Sequence, residues 1–439
     1  MKPLAFVFLF GLASVIRSLP AGGTDLELPA TQLPRAMHTP MKNLPVVKVG
    51  LTNGDVIGAD NRALQAAVEY VAALGGGAVE IGPGEYLMRD SLHLRAQVLV
   101  RGTPGQTVLR KARAVVSKLR VDGDYGEEQI TLTNPSGFAV GDGVAIWDKH
   151  ANGFHITVAR ITGANGDTFA LSLPLNADCM VQDGAQAATV FPVVSGYNLE
   201  GAKLQDLVIE GNASENIPLD GCRGGGIFLY RCPGAVVENC TVRNYNGDGI
   251  SFQQCNDVTV TGCVSENNTG LGLHPGSGSQ RPIVRHCLAR NNGQDGLFLC
   301  WRVKQGIFED NRLEGNHRFG ISIGHKDTDN VLRNNQVRGN YQDGVCFRNE
   351  TEGMAGHRNR LENNLIENNG VGRDVAGIAV QGETRDLLFK DNVIRDTRAA
   401  NERKQKTGIR LEQKVGPLAL EGNQIQADQP IEDQRVQNP

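Results

Sequence analysis

Gly296–Val345 reads GLFLCWRVKQGIFEDNRLEGNHRFGISIGHKDTDNVLRNNQVRGNYQDGV. Within it a glycine followed by an aliphatic residue returns every 24 residues, at Gly296-Leu297, Gly320-Ile321 and Gly344-Val345. Working outward, the same pair stands upstream at Gly226-Ile227, Gly249-Ile250 and Gly272-Leu273, and downstream at Gly377-Ile378 and Gly408-Ile409. The first five intervals are 23, 23, 24, 24 and 24 residues; the last two, 33 and 31, imply loops inserted into a fixed coil. A second apolar column runs Val237, Val260, Val284, Phe308, Leu332, Leu361, Phe389 and Leu420. Three residues after each member come Cys240, Cys263, Cys287, Asn311, Asn335, Asn364, Asn392 and Asn423. A period of about 20–30 residues made of short alternating segments, with no helix-length apolar pattern, describes one turn of a β-solenoid. Strands of successive coils lie ~4.8 Å apart, so like residues stack on like. Aliphatic columns then fill the interior. The Asn column is expected to tolerate a left-handed corner and to pass side-chain hydrogen bonds from coil to coil, with cysteine filling the same corner in the early coils.

The chain has 439 residues, a net charge of -4 and 54 glycines, which suits many tight turns. That balance gives no electrostatic case for a nucleic-acid or membrane-surface partner. Beyond the N-terminus no apolar run reaches the ~20 residues of a membrane span. Lys2 followed by the apolar Leu4–Ile16 reads as a signal peptide over residues 1–23, hence a secreted or periplasmic protein. Nine cysteines without zinc spacing, several at the coil period, read as stacked interior thiols; disulfides between neighbouring coils stay open.

Residues 24–57 are Pro-rich and irregular. Residues 58–109 hold a cap and the first coils: Asp60 is a helix N-cap, and Leu64, Ala67, Val68 and Val71 follow at helical spacing. Residues 110–195 alternate with period two between turn signals and read as an antiparallel β insert, in which Trp147-Asp148-Lys149-His150 is a solvated loop. Coils fill 196–427, and a polar tail without order occupies 428–439. With the segment ADNRALQAAVEYVAALGGGAVEIGPGEYLM (Ala59–Met88) in front of it, this ladder resembles the pectate-lyase-like right-handed parallel β-helix superfamily. The resemblance implies an all-β right-handed parallel β-helix with an N-terminal capping helix. It leaves function open among polysaccharide lyases, glycoside hydrolases, epimerases and phage adhesins.

If the residue after each anchor glycine points inward, the second and fourth after it point outward. The middle coils then display Ser251 and Gln253; His274; Trp301 and Arg302; His325, Lys326 and Asp327; and Arg348 and Glu350. Gly324 is expected to open a turn that carries His325, Lys326 and Asp327 outward. Such a set suits β-elimination on a uronate polymer, which needs a base for the C5 proton, positive charge for the carboxylate and an acid for the leaving oxygen. Lys326 or His325 is the expected base, and Arg348 and Arg302 the carboxylate clamp, with His274 in the catalytic set. Trp301, Arg302, Asp327, Glu350 and Gln253 are the expected substrate contacts. The Lys326/Arg348 placement is similar to the Lys base and Arg acid of β-helical chondroitin and alginate lyases. Those families also use calcium, for which Asp327 or Glu350 could serve, though no calcium spacing is visible. Hydrolysis of the polygalacturonase type is the alternative, through carboxylates such as Asp248, Asp295, Asp327 and Glu350. A non-catalytic sugar-binding or structural solenoid is the third reading.

Overall fold

The computed structural model describes residues 43–435; the expected signal peptide, residues 24–42 and the last four residues lie outside that range. The chain winds as a parallel β-solenoid with three sheets. Among the described residues one sheet has 13 strands and the other two have 11 each. The stacking follows the glycine-anchored columns. Ile227, Ile250, Leu273, Leu297, Ile321, Val345, Ile378 and Ile409 pair in one register along one sheet. Val237, Val260, Val284, Phe308, Leu332, Leu361, Phe389 and Leu420 do so along another. Nearly all are buried in one continuous core, where each such side chain contributes about 1.5–3 kcal/mol.

The anchor glycines are required by space. A Cβ at Gly296 would lie 2.6 Å from Asn316 Nδ2 and 2.8 Å from the Gly320 carbonyl oxygen, because the turn of the next coil packs against the bare Cα.

The Asn column carries the expected hydrogen-bond ladder. Asn311 Nδ2 donates to Asn335 Oδ1 at 3.0 Å, Asn335 to Asn364 at 3.0 Å, and Asn364 to Asn392 at 2.9 Å. A second ladder, outside the expected columns, runs from Asn268 through Asn292, Asn316, Asn340 and Asn369 to Gln405. The left-handed corner, however, belongs to the residue before each ladder position. Asp310, Asn334, Asn363 and Asp391 have φ near +55° (56°, 55°, 54° and 53°), whereas Asn311, Asn335, Asn364 and Asn392 point inward and are buried. A short polar side chain thus bends the chain, and its neighbour satisfies the buried backbone groups the bend leaves behind.

The helix Asn61–Ala73 is capped by Asp60, which accepts from the Arg62 backbone N–H, and it lays Leu64, Ala67, Val68 and Val71 on the first strands. It plugs the open end of the solenoid. The segment expected to be irregular holds two strands of the long sheet, Val46–Gly50 and Val56–Ile57. The tail likewise supplies a strand, Gln429–Asp433, which pairs with Thr407–Leu411 as the last rung; its polar composition fits an exposed final strand. Six antiparallel strands between Val116 and Ala188 form the insert, with a core of its own around Leu132, Val144, Ile146, Ile161 and Phe169. A small apolar cluster of Ala145, Ile156, Ala188, Val190 and Leu219 fastens the insert to the turn at 217–222. That contact sets one wall of the site. No helix among the described residues is long and apolar enough to cross a membrane.

Candidate functional site

The sheet that carries Ile227, Ile250 and Leu273 has an outer face, and the column next to those residues runs His93, Ser195, Phe228, Ser251, His274, Phe298, Ser322 and Cys346. Ser251, Gln253 and His274 do sit on it. They are not solvent-facing, as the sequence suggested, because the 217–225 turn folds over them. Ser251 Oγ donates to the Gly221 carbonyl at 2.8 Å, and Gln253 Nε2 to Ser251 Oγ at 2.9 Å, with both residues fully buried. Gln253 is therefore a packing group rather than a substrate contact.

His274 is nearly buried but forms part of the floor of a groove of about 600 Å³. Its walls are Trp147, Asn152 and Ile156 of the insert, the 218–222 turn, and the turns bearing Asp248, Leu271 and Gln294. The stretch read as a solvated loop thus contributes a wall through Trp147. Asp148 is also buried, accepting from the backbone N–H groups of His150, Ala151 and Met180. Asp248, in the turn before Gly249, accepts from His274 Nδ1 at 2.7 Å and from the Leu271 backbone N–H at 2.9 Å. Asp248 thus orients the ring through Nδ1, and Nε2 lies 3.5 Å from Gln253 Nε2. A carboxylate that fixes the tautomer of an imidazole at a groove floor is the construction of a general base.

From His274 a chain of contacts leads to the other expected residues. The His274 ring meets Phe298 edge-on at 5.4 Å, and the Arg348 guanidinium covers Phe298 at 4.5 Å. Arg348 Nη2 lies 3.4 Å from His325 Nδ1. Of the expected quartet, His274, Arg348 and His325 are therefore joined along one flank, while Lys326 follows His325 in the chain without a side-chain contact to the others. Arg348 is committed to the protein: Nη1 donates to Ser322 Oγ at 2.8 Å, and Nη2 to the Leu299 carbonyl at 2.7 Å and to Asp327 at 3.3 Å. It is not free to clamp a substrate carboxylate bidentately. The turn after Ile323 does open at Gly324, through consecutive left-handed residues His325 and Lys326 (φ 51° and 66°). It then returns Asp327 to the interior instead of presenting it outward. Asp327 is fully buried, holds the Val303 and Gly324 backbone N–H groups, and burial pushes its carboxyl up to about 7 against the pull of Arg348.

His325 donates from Nε2 to Glu350 Oε1 at 2.7 Å, and its Nδ1 is 3.1 Å from Cys300 Sγ. Burial, then the Arg348 charge, lower its pKa to about 4, so the ring is neutral with both nitrogens engaged. With its nitrogens turned to Cys300 and Glu350 and no part of it lining the groove, His325 is not placed to take the C5 proton. Lys326 is exposed, and its side chain has no hydrogen-bond or ion-pair partner among the described residues. Trp301 is 41% exposed, with its ring 4.9 Å from that of His325, and the exposed Arg302 lies 5.8 Å over it. Asp327 and Glu350 serve separate partners, Arg348 and His325, and do not form a calcium site; no group of three or more metal-ligating side chains occurs among the described residues. Asp295, next in the chain to the groove residue Gln294, is fully buried with its pKa raised by burial, and Arg318 lies 3.7 Å away.

A family model described as a right handed beta helix region matches residues 201–353. No curated protein matches the chain in sequence. Among solved structures, the A-module of the Azotobacter vinelandii mannuronan C-5 epimerase AlgE4 is similar at a TM-score of 0.56 and 15% identity, covering 88% of this chain and 100% of that one. The polygalacturonase from Erwinia carotovora ssp. carotovora is similar at a TM-score of 0.55 and 14% identity, covering 92% and 98%. The Dettilon tailspike protein is similar at 0.51 and 12% identity, covering 83% and 58%.

Proposed function

We propose that this chain, a parallel β-solenoid whose residues 201–353 match the right handed beta helix region, is an exported enzyme acting on an acidic, uronate-containing polysaccharide. Its chemistry is removal of the proton at C5, followed by β-elimination or by reprotonation on the opposite face. The observation that carries this reading is the His274–Asp248 pair, 2.7 Å apart at the floor of the groove. Nε2 of His274 takes the proton, and Asp248 stabilises the imidazolium that forms. Arg348 places fixed positive charge over Phe298, whose ring in turn meets His274, and this charge favours the developing enolate. The exposed Arg302 and Lys326 meet the carboxylates of neighbouring sugars, and Trp301 offers a stacking face. The names of two similar structures, a mannuronan C-5 epimerase and a polygalacturonase, support a sugar polymer as substrate.

Hydrolysis is the second reading, favoured by Asp295. Its raised pKa suits a general acid, and Asp248 lies two coils, or about 10 Å, away, near the ~6.5–9.5 Å of inverting hydrolases. One experiment separates the two. Uronate polymers are incubated with the protein in deuterated water, and C5 deuteration, unsaturated-product absorbance and reducing ends are followed. Proton abstraction predicts C5 deuterium or absorbance, reduced about 10²–10⁴-fold in His274→Gln. Reducing ends without either signal would indicate hydrolysis, and activity undiminished in His274→Gln would remove His274 as the base.

A further inference from the structure

Cys300, His325 and Glu350 come from three consecutive coils and form a relay that proton abstraction in the groove does not use. Cys300 Sγ is 3.1 Å from His325 Nδ1, and His325 Nε2 is 2.7 Å from Glu350 Oε1. Nucleophile, base and orienting carboxylate stand in the order that acyl-transfer sites require. All three are partly open to solvent: the thiol is half-buried, and the His325 and Glu350 side chains are 26% and 18% exposed. A comparable chain of Ser195, His93 and Asp90 lines a cavity of about 290 Å³ nearer the N-terminus, at 3.1 and 2.9 Å, but there Ser195 is fully buried, whereas Cys300 is half-buried. Seven of the other eight cysteines are buried, and Cys222, the eighth, has no imidazole partner.

We infer that Cys300 is the nucleophile of a second activity, the hydrolysis of carboxylic esters carried on a sugar chain. The sugar is indicated by the exposed Trp301, adjacent in sequence to the thiol and tilted against the base with ring centroids 4.9 Å apart, which gives a pyranose face a platform beside the reacting sulfur. In the resting state His325 donates Nε2–H to Glu350 and presents its Nδ1 lone pair to the thiol. Cys300 Sγ adds to the ester carbonyl carbon as its proton passes to Nδ1. The carbon–oxygen bond to the sugar breaks, and the sugar oxygen takes that proton and leaves as the alcohol. A water then adds to the thioester while giving its proton to Nδ1. The carbon–sulfur bond breaks, the acid departs, and sulfur recovers the proton. The sum is ester plus water to acid plus alcohol, with no redox change. Glu350 balances the imidazolium in both steps. Burial pushes the Cys300 thiol up to about 12, so the resting pair is a neutral thiol and a neutral ring rather than an ion pair, and proton transfer must accompany attack.

The test uses the full-length protein and p-nitrophenyl acetate. The inference predicts a burst of p-nitrophenolate equal to the protein concentration, with the acetyl group found on Cys300 by peptide mass spectrometry. The burst disappears in Cys300→Ala, slows about 10²–10⁴-fold in His325→Gln, and slows by a smaller factor in Glu350→Gln. Melting curves confirm that each variant is folded, and the milder Glu350→Gln keeps the test open if His325→Gln does not fold. Acetate release from an O-acetylated sugar polymer, dependent on Cys300, supports the sugar ester. A burst that survives in Cys300→Ala, an acetyl group spread over lysines, or a polymer left acetylated would overturn the inference. None of these readouts involves the C5 proton, so failure here and failure of the groove chemistry are told apart.

Discussion

Replacing Asn335 by alanine removes one link of the buried ladder, and the structure allows the cost to be worked out. Asn335 Oδ1 accepts two bonds of 3.0 Å, from the Asn311 backbone N–H and from Asn311 Nδ2. Its own Nδ2 donates to the Phe308 carbonyl at 2.9 Å and to Asn364 Oδ1 at 3.0 Å. Alanine can replace none of these, and the site is fully buried, so no water takes over. Two donors of Asn311 lose their acceptor, at about 1–3 kcal/mol for each unsatisfied group, so the expected loss is about 2–6 kcal/mol. Asn334 is the control next door. It is exposed and left-handed at φ 55°, so Asn334→Ala should cost only the ~1–2 kcal/mol of that conformation and Asn334→Gly almost nothing. Urea unfolding followed by circular dichroism measures the three variants. Hydrogen exchange should show the loss concentrated on the coils around Phe308 and Leu361, since each coil touches only its neighbours. An Asn335→Ala cost at or below that of Asn334→Ala would refute the assignment of bonding to one asparagine and bending to the other.

Three further outcomes are expected. His325 is protonated more readily when unfolded, so folded stability is lost as pH falls from 6.5 toward about 4. Asp327 ionises more readily when unfolded, so stability is lost as pH rises from 3.8 toward about 7. The two slopes oppose, and denaturation of His325→Asn and Asp327→Asn across pH 4–7 should each expose the other's. A thiol reagent should find only Cys222 and Cys300 in the native protein and all nine cysteines after denaturation, because the remaining seven are buried and unpaired by disulfides; a native count above two would contradict that packing. Gly296→Ala forces a methyl group to within 2.6 Å of Asn316 Nδ2 and 2.8 Å of a backbone oxygen, and should destabilise by about 1–3 kcal/mol in the same urea assay.

The solenoid was legible because interior stacking repeats side chains at a fixed period: Ile321 over Val345 is visible in any alignment of the chain with itself. The fine placement was less legible. Asn334 and Asn335 are the same residue type in opposite roles, and only the backbone distinguishes them. The outward direction of His274 was readable from strand alternation, but its burial was not, since the cover comes from turns 217–225 and the insert, whose fold-back no periodicity records. Asp248 was readable only as one of four carboxylates suited to hydrolysis. Its bond to His274 depends on a turn reaching across to the next coil. Arg348 has the offset of an outward residue and yet spends its charge on Asp327, Ser322 and the Leu299 carbonyl, a choice made by local acceptors. Cys300 went unmarked because its meaning lies in His325 and Glu350, one and two coils further along.

The uneven spacing of the later coils has a consequence for how such a molecule changes over generations. Between Gly344 and Gly377 the chain spends 33 residues on a turn that elsewhere takes 24, and yet Val345 still sits over Ile378, and Asn335 still reaches Asn364. Growth is absorbed at the corners while the rungs keep their alignment. Corner segments such as the one bearing Lys326 are therefore free to lengthen, shorten or change chemistry from one descendant to the next, with the spine beneath them undisturbed.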